Sequence, residues 1–506
     1  MAEEQQRSPV ELQQDNDALR SQVELLQSQN TSFASQVELL QSQNTSLASQ
    51  VETLTTKIAE LEKRLGRNSS NSSFPPSSDL FGSKAKTESP NRTVRRALGK
   101  KQGKQSGTEG KHLAQRIDPD EIIIHFPTDC ERCGGDLSNA VIDSVETRQV
   151  FDLPEPKLIC IEHRVQKRRC SCGKITAGSF PPEATGFSSY GPRVRANAVY
   201  LLARQHLPMQ RCSEAMADLF AAPVSTGFLD SVYTEAADLC KPFLSEVLTQ
   251  LKNSDVVHMD ETSDRLNKRS IWFHVASNKT LTLLHADATR GRKGVEATGV
   301  LPDFGGVAVH DRLGLYFDYT SVTHAVCGAH LIRNLASVAV VCNQTGWADG
   351  MTKLLLEMKC AGEDAVELGH NKLSKRKLTS FFRRYDDIVA IAFQVNPEPA
   401  GRKRNSIERE SYNLAVAFSK LKPEITRFAT DLRVPFSNNQ GERDFRMAKL
   451  HKKISGCFRS MTGAERLAAV RSYISTAQKQ SQDALDVLTM LFRGEPWMPS
   501  PLRSGP

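Results

Sequence analysis

Two aspartates stand directly after short apolar segments, where they could bind a metal ion. Asp260 ends the segment DVVHMD, and Asp311 follows the segment VAVH. Both segments have the composition of buried β-strands, and ligand-binding side chains of open α/β sheets gather at the carboxyl ends of strands. Carboxylates at neighbouring strand ends can share hard cations such as Mg²⁺, which prefer oxygen ligands. The two residues therefore predict an acidic, metal-binding edge of a sheet.

A third carboxylate is expected from the segment SNNQGERDFRMAK. Asn438 or Asn439 can cap a helix there, and Glu442 then lies in its first turn, facing the strand ends. Three carboxylates can hold two Mg²⁺ ions (or Mn²⁺) for in-line displacement at phosphorus. Asp444 and Glu261 are alternatives for the third ligand.

Basic side chains follow the glutamate at once, which suits a site beside a phosphate backbone. A second basic segment, residues 84–116, holds ten Lys or Arg and two Glu among Gly and Ser, and is either a flexible nucleic-acid-binding arm or a solvated linker. The predicted phosphate contacts are Arg443, Arg446, Lys449, Lys452, Lys453 and Arg459 after the glutamate, and Lys100, Lys101 and Lys104 in the arm.

Four of the eleven cysteines form two close pairs, in the segments CERCG and CSCG: Cys130, Cys133, Cys170 and Cys172. Two thiolate pairs can supply the ligands of a tetrahedral, structural Zn²⁺ site. The second pair is one residue shorter than the usual spacing, so Cys160 or His163 could replace one ligand. Buried thiols in a small β domain are the other interpretation.

These side chains need a sheet and a helix that hold them together. The pattern predicts three successive strands, a helix and a fourth strand at residues 255–260, 270–276, 280–286, 294–300 and 307–310. This order matches the α/β core of ribonuclease H-like proteins. In that core Asp260 would end the first strand, Asp311 would follow the fourth, and the two strands would be neighbours.

Helical patterns surround the predicted sheet. Within residues 190–251, one helix over 211–220 and a second beginning at the N-cap Ser225 could form a helix-turn-helix, although helix pairs of other kinds are common. Residues 326–435 are helical in pattern, and residues 438–490 predict one or two further helices.

The segment CGAH opens the first of these helical stretches. Cys327 and His330 have the spacing of metal ligands, but no second pair follows, which favours core packing beside the acidic residues. Arg333, one turn on, is a further candidate for a phosphate contact.

The N-terminal segment has a heptad pattern. Residues 21–34 recur almost unchanged as 35–48, a period of two heptads. The d positions are Leu12, Leu19, Leu26, Phe33, Leu40, Leu47, Leu54 and Leu61, and the a positions are Asn16, Val23, Asn30, Val37, Asn44, Val51, Ile58 and Leu65. This pattern predicts a coiled coil, and hence a homodimer, rather than a disordered polar tail.

Composition excludes some classes of protein. The chain has 506 residues, 25% of them charged and 39% hydrophobic, which is enough for several domains with buried cores. The net charge of +8 permits nucleic-acid binding without demanding it. No apolar run has the length of a membrane span, and the N-terminus MAEEQQ does not begin a secretory signal. A reducing compartment is therefore expected, where paired cysteines indicate metal binding.

Several longer segments resemble the transposases of insertion sequence 66. They are RNSSNSSFPPSSD, HMDET, GVLPDFGGVAVHD, HAVCGAHLIRNL, VPFSNNQGERDFRMAKLHKKISGCFRS and RSYISTAQKQ, which occur in the family's order over residues 60–493. The resemblance implies an Asp-Asp-Glu transposase with a helical insertion before the glutamate, and a zinc-binding domain. The family's triad corresponds to Asp260, Asp311 and Glu442. Gly441 stands where the family usually has another small residue, and glycine weakens a helix start.

The predicted architecture is multidomain α/β. Its parts are a coiled coil (10–66), a basic linker (67–117), a zinc-binding domain (118–178), a helical DNA-binding segment (188–250), a ribonuclease H-like core (251–325), a helical insertion (326–435), a C-terminal catalytic helix with a basic segment (436–493) and a tail (494–506).

The resemblance implies cleavage at the ends of a mobile element and strand transfer into target DNA. The expected partners are terminal inverted repeats, target DNA, a second copy of the chain and small accessory proteins, in the bacterial cytoplasm at the nucleoid and without a membrane. Two alternatives stay open: a ribonuclease H-like nuclease or resolvase that cuts without joining, and a catalytically silent DNA-binding protein.

Overall fold

A computed structural model describes residues 9–65, 113–181, 184, 186–267, 269–398 and 407–501. The predictions for Lys100, Lys101 and Lys104 lie outside these residues. The chain divides into two compact units. One contains the N-terminal helix with Ile332–Leu354 and Arg384–Ser419, and the other contains the sheet and all three predicted catalytic residues.

The described strands are β1 (Lys167–Arg169), β2 (Ile175–Ala177), β3 (Val256–Leu266), β4 (Arg269–Ser277), β5 (Thr282–Asp287), β6 (Val307–His310) and β7 (Thr323–Val326). The helices are α1 (Pro9–Leu65), α2 (Pro192–Val199), α3 (Met209–Phe220), α4 (Thr226–Leu239), α5 (Lys241–Lys252), α6 (Arg292–Ala297), α7 (Gly328–Val341), α8 (Thr345–Glu367), α9 (Lys375–Val395), α10 (Ile407–Lys420), α11 (Lys422–Ile425), α12 (Arg427–Thr430), α13 (Asn439–Ile454), α14 (Met461–Lys479) and α15 (Ala484–Phe492). A π-helical turn (Tyr200–Arg204) continues α2, and 3₁₀ turns (Leu301–Asp303 and Gly314–Asp318) lie on either side of β6.

A mixed five-stranded sheet carries the predicted acidic residues. Its strand order is β5-β4-β3-β6-β7, in which β3, β4 and β5 are antiparallel neighbours and β6 and β7 run parallel to β3. The four predicted strands are confirmed, and β3 and β6 are neighbours as expected. β7 is missing from the prediction because its four residues, THAV, are too few to give a periodic signal.

The prediction that Asp260 ends its strand is wrong. β3 continues to Leu266, and residues 261–266 pair with β4 from His274 back to Arg269. All but the last of these residues, ETSDRL, are polar, so the sequence alone is typical of a loop. Antiparallel pairing within the β3–β4 hairpin satisfies their backbone groups and extends the strand beyond its apolar part.

The two faces of β3 belong to different cores. Val257 and Met259 belong to a core that also contains side chains of α2 to α5. On the other face, the β4 residues Phe273 and Val275 pack with Phe445 of α13. Since side chains alternate along a strand, consecutive residues of β3 reach different layers of the fold.

Helix α14 covers the free edge of the sheet. The hydroxyl of Thr476 accepts a hydrogen bond from the Thr282 backbone N–H at 3.0 Å and donates to the same residue's carbonyl at 3.1 Å. The hydroxyl of Ser472 accepts from the Leu284 N–H at 2.8 Å. Two hydroxyls of one helix thus replace a missing strand and protect the edge from pairing with another chain.

The predicted helix pair before the sheet is confirmed as α3 and α4. The Ser225 side chain accepts a hydrogen bond from the Phe228 N–H, as expected of an N-cap. Ala221 ends α3 in the left-handed conformation, with φ at 49°. Whether this pair reads DNA stays a prediction.

One helical prediction needs correction. Residues 438–490 contain three helices, α13 to α15, instead of one or two. The helical conformation is interrupted twice, at Gly456 with φ at 80° and at Ser481 with φ at 60°. The sequence also predicts short strands around the paired cysteines over residues 118–175, and among the described residues 113–181 the strands β1 and β2 lie on either side of the second pair.

The unit that holds α1 has its own packed side chains. The Tyr385 hydroxyl donates to the Phe418 carbonyl at 2.7 Å, and both side chains are buried. The Gln344 amide donates to the Asn396 side chain at 2.7 Å. Where the sequence predicts a coiled coil over residues 10–66, the structure has one helix, α1, over Pro9–Leu65, and its pairing with a second helix stays a prediction. Among the helices described, none is long and apolar enough to cross a membrane.

Candidate active site

Asp260 and Asp311 occupy equivalent positions on two adjacent parallel strands. His258 of β3 pairs with Val309 of β6, and each aspartate lies two residues beyond its member of this pair. Neighbouring strands are about 4.8 Å apart, so the two side chains start from adjacent points on one edge. The sequence prediction placed both residues correctly relative to each other, although β3 continues past Asp260.

Glu442 lies in the first turn of α13, as predicted, and α13 approaches β3 closely. A Cβ atom added to Gly441 would come within 3.5 Å of the Asp260 Cβ and 3.3 Å of the Asn438 Oδ1. The small residue before Glu442 therefore allows the helix to rest on the strand.

The charge of Asp260 is strongly disfavoured. Burial raises its pKa well above the usual value, and the negative charges of Glu261, Asp311 and Glu442 raise it further. Glu442 also lies 3.6 Å from the Nε2 atom of His330. A group of carboxylates that repel one another at a partly buried edge is the electrostatic arrangement that a bound cation relieves.

Glu261, an alternative for the third ligand, points to the opposite face of β3. Its carboxylate accepts a hydrogen bond from the Tyr316 hydroxyl at 2.8 Å and an ion pair from Arg290 at 2.7 Å. The Arg290 guanidinium also lies over the Trp272 ring, 5.0 Å from its centroid. Tyr316 follows Asp311 closely in the chain, so Glu261 ties the Asp311 loop to β3.

Asp444, the other alternative, is held in an ion pair with Lys479 of α14. The Lys479 Nζ lies 2.7 Å from the Asp444 Oδ2, and the two side chains are 11% and 8% exposed. The same ammonium donates to the carbonyls of Asn278 and Leu281 in the β4–β5 turn at 2.9 and 2.8 Å. Lys479 thus joins α13, α14 and the hairpin, and Asp444 balances its charge.

Replacing Lys479 by methionine is expected to lower the free energy of unfolding by about 3–5 kcal/mol, because it leaves the buried Asp444 carboxylate without its cation. Urea unfolding of the full chain measures this. The exposed Lys453→Met is the matched control and should change stability by about 0.5 kcal/mol or less. A loss below about 1 kcal/mol for Lys479→Met would contradict the role of the pair.

A chain of histidines fixes the loop that begins with Asp311. The Arg312 N–H donates to the His310 Nδ1 at 3.2 Å, which places the His310 proton on Nε2. That atom donates to the His324 Nδ1 at 3.2 Å, and the His324 Nε2 then donates to the Tyr319 carbonyl at 3.1 Å. Burial lowers the pKa of His310 to about 3, so its ring stays neutral.

The donor set fits a divalent metal ion by its chemistry, since Asp260, Asp311 and Glu442 supply carboxylate oxygens. One oxygen of Asp260 accepts the Glu261 N–H, and one of Asp311 accepts the Leu313 N–H, both at 2.9 Å, which leaves the second oxygen of each for another partner. Among the residues that the structure describes, no three acidic, histidine or cysteine side chains already surround one point. The carboxylates are grouped at the edge but are not closed around an ion.

The predicted phosphate contacts of α13 lie at the surface. Arg443, Arg446, Lys452 and Lys453 are exposed, Lys449 is partly buried, and Arg459 follows the helix as an exposed residue. Phe445 and Ala448, on the inner face, are buried against the sheet. One helix therefore carries the acidic residue at its start, an apolar face inward and a basic face outward.

Cys327 and His330 have separate roles. Cys327 is fully buried, its thiol accepts the Asn438 N–H at 3.0 Å, and burial raises its pKa, in keeping with the favoured interpretation as a core residue. His330 lies beside Glu442 instead of in the core. The sequence missed this neighbour because it links α7 and α13, more than a hundred residues apart. The only local indication of a site at His330 is the ligand-like spacing of Cys327 and His330.

The two cysteine pairs each form a local turn. The Gly134 N–H donates to the Cys130 carbonyl at 2.8 Å, and the Gly173 N–H donates to the Cys170 carbonyl at 2.9 Å, both glycines having positive φ. The amides of Arg132 and Cys133 lower the pKa of Cys130, which favours the thiolate that a metal needs.

Within residues 113–181, neither Cys160 nor His163 completes a group of three ligands with either pair. The turns fit zinc ligation locally, and the pairs remain apart. The choice between Cys172 and a substitute ligand therefore stays a prediction.

An acidic sheet edge next to a basic helix, preceded by cysteine turns, is typical of a protein that acts on nucleic acid. The sequence profile described as "Transposase IS66 family" matches residues 188–466, more than half of the chain, and the chain belongs to this family of transposases. Residues 127–173 match the "zinc-finger binding domain of transposase IS66", and residues 2–114 match a "Family of unknown function (DUF6444)".

The chain is also similar to the uncharacterized protein y4hP of Sinorhizobium fredii (strain NBRC 101917 / NGR234). The two are 22% identical over 411 residues, which cover 72% of this chain and 70% of the relative. The resemblance to insertion sequence 66 transposases is thus confirmed, and the zinc-finger match supports a structural zinc ion at the cysteine pairs.

Proposed function

We propose that the chain is a metal-dependent DNA transposase that cuts at the ends of its element and joins them to target DNA. The observation that carries the proposal is the grouping of Asp260, Asp311 and Glu442. The two aspartates are level on adjacent strands, and the helix of Glu442 rests on Asp260. The strand order, with three antiparallel strands followed by two parallel ones, is the order expected of a ribonuclease H-like core and supports the same proposal.

The three carboxylates would hold Mg²⁺ or Mn²⁺, two ions in the full site. When bound, such ions activate water or a 3′-hydroxyl and stabilise charge at phosphorus. The chain itself orients this set. Glu261 and the histidine chain fix the loop of Asp311, and α13 presents Glu442. The exposed basic face of α13 would hold the DNA backbone alongside.

Cleavage and joining are both in-line displacements at phosphorus, so one site can serve both steps. The test incubates the purified chain with Mg²⁺, DNA that carries the element's own ends and a target plasmid, and follows nicked and joined products on denaturing gels. Joined products support the proposal. Cleavage without joining would indicate a nuclease or resolvase. Neither product, with DNA binding retained, would indicate a catalytically silent DNA-binding protein.

We further propose that Cys130, Cys133, Cys170 and Cys172 together hold one structural zinc ion. Cys130→Ser or Cys170→Ser is expected to reduce the zinc content from about one ion per chain to none and to unfold residues 118–175, because metal binding and folding are coupled in small zinc domains. Metal analysis of the purified chain measures this. Cys360→Ser, at an exposed cysteine outside the pairs, is the control and should keep its zinc. Full zinc content in Cys170→Ser would overturn the ligand assignment.

The basic face of α13 is expected to bind phosphates without reading sequence. Replacing Arg443, Arg446 and Lys453 by alanine should weaken binding to all duplex DNA alike and reduce the slope of log K against log salt by about 0.9 for each lost contact. Fluorescence anisotropy at several salt concentrations measures the slope. The matched control replaces Lys375, Arg376 and Lys377, exposed cations of α9, and should leave it unchanged. An altered sequence preference with an unchanged slope would contradict the assignment.

The remaining expectations extend this function. The arm at Lys100, Lys101 and Lys104 and the α3–α4 pair would hold the terminal repeats, with α1 pairing two chains as a coiled coil. Small accessory proteins and a location at the bacterial nucleoid follow from the family alone.

A further inference from the structure

Asn438 is placed between the elements that carry the candidate metal ligands. It directly precedes α13, is fully buried, and its backbone carbonyl accepts the Glu442 N–H at 3.2 Å. The sequence offers the side chain of Asn438 or Asn439 as the cap of the helix. The structure corrects this for Asn438: its side chain makes no cap hydrogen bond and reaches β3 instead.

Three contacts hold Asn438 in this position. Its Nδ2 donates to the Met259 carbonyl at 2.9 Å, and its Oδ1 lies 2.8 Å from the His258 Nδ1. Its backbone N–H donates to the Cys327 sulfur at 3.0 Å. Because a carbonyl accepts only, the amide must present Nδ2 to Met259, and His258 must then carry a proton on Nδ1. The amide orientation and the ring tautomer are therefore both fixed.

The consequence is a link between two candidate ligands. Met259 and His258 immediately precede Asp260 on β3, and Glu442 lies one helical turn after Asn438. The first N–H groups of a helix have no partners within the helix, so without side-chain contacts the start of α13 would fray. One buried amide thus sets how far Glu442 stands from Asp260.

We propose that Asn438 is a positioning residue that fixes Glu442 against Asp260, so that the third carboxylate reaches a metal ion already held by the two aspartates. This role rests on the proposed function. Residues that orient metal ligands without touching the metal typically contribute 10–100-fold in metal affinity. The neighbouring Asn439 is exposed and offers a control of the same residue type.

The test maps the metal site in the full-length chain. Fe²⁺ is added in place of Mg²⁺ with ascorbate and hydrogen peroxide, and the resulting hydroxyl radicals cut the backbone near the bound ion. The wild-type chain is expected to give cuts near residues 260, 311 and 442. In Asn438→Ala the cut near 442 should fall about tenfold while the other two persist, and half-saturation of DNA cleavage should need about tenfold more Mg²⁺. Asn439→Ala should match the wild type in both readouts.

Substitutions at His258 test the same contact from the strand, in case Asn438→Ala does not fold. His258→Leu removes the donor to Asn438 and should also weaken the cut near 442, whereas His258→Asn can place an amide donor where Nδ1 stood and should restore it. If Asn438→Ala or His258→Leu leaves all three cuts and the Mg²⁺ requirement unchanged, the positioning role is wrong while the metal site stands. If the wild-type chain gives no cut near any of the three positions, the metal site itself is wrong, and the role of Asn438 with it.

Discussion

Asp260→Asn, Asp311→Asn and Glu442→Gln are each expected to lower strand cleavage about 10³-fold or more while DNA binding is retained. Each substitution keeps the shape of the side chain and removes one charge that would bind the metal. Such charge stabilisation is worth several kcal/mol, and about 4 kcal/mol corresponds to about 10³-fold in rate. Denaturing gels of end-labelled element DNA measure cleavage, and anisotropy measures binding.

Asp255→Asn is the matched control for these variants. Asp255 directly precedes β3, at the end of the strand away from the acidic residues, and its exposed side chain pairs with Arg433 at 3.3 Å. Cleavage by Asp255→Asn should therefore stay within about twofold of the wild type. Near-normal cleavage by any one of the three variants would remove that residue from the site.

Asp260→Asn should abolish cleavage but make the fold more stable. Burial and three neighbouring carboxylates raise the pKa of Asp260, so its charged form destabilises the fold when no divalent ion is added. Removing the charge is therefore expected to increase the free energy of unfolding. Urea unfolding without added Mg²⁺ measures this gain. A variant that is inactive yet more stable has lost a functional group, whereas an inactive and less stable one has lost its fold.

Local sequence patterns predicted the strands and the helix of the site well. VVHMD and VAVH are short, apolar and β-branched, and they gave β3 and β6 at the right places. Glu442 follows a recognisable helix start, so its position in the first turn was also predictable. These predictions succeeded because each element is determined by a few adjacent residues.

Contacts between distant segments were not predictable from one sequence. The extension of β3 past Asp260 depends on pairing with β4, which the polar run ETSDRL does not announce. Asn438 reads as a helix cap, because nothing local shows that the Met259 carbonyl, 179 positions away, competes for its amide. The pairing of Asp444 with Lys479 likewise becomes visible only when α13 and α14 are placed together.

Deleting residues 1–66 is expected to convert a dimer into a monomer in solution. The helix α1 spans Pro9–Leu65, and the d positions whose side chains the structure describes are exposed in the single chain, for example Leu26 at 53%, Leu40 at 58% and Leu54 at 57%. Covering such an apolar row stabilises a 57-residue helix, because the apolar side chains leave water. Leu at d with Val at a favours a coiled coil of two parallel helices. Transposition brings two element ends together, so the monomer should bind single ends but lose paired-end products.

The repeat within α1 also predicts how the two helices align. Asn30 and Asn44 occupy a positions, where paired amides can hydrogen-bond across a dimer. A slip of seven residues would bury each against valine at a cost of about 1–3 kcal/mol apiece, so that register should be rejected. A slip of two heptads would realign most of the seam, because residues 21–34 and 35–48 are nearly identical. The register is therefore less secure than in a zipper without a repeat.

Light scattering on the full chain and on the truncation measures the expected change in mass. In the full chain, Leu26→Asp with Leu40→Asp should have the same effect, since both charges fall at d positions of the seam. The matched control is Ser28→Asp with Ser42→Asp, which adds the same charges at the outward f positions and should leave the dimer intact. Zinc content and cleavage at single ends should survive the truncation, because the cysteine pairs and the acidic edge lie outside α1. If the truncated chain is still a dimer without DNA, the main dimer interface lies elsewhere and the coiled coil is dispensable for it.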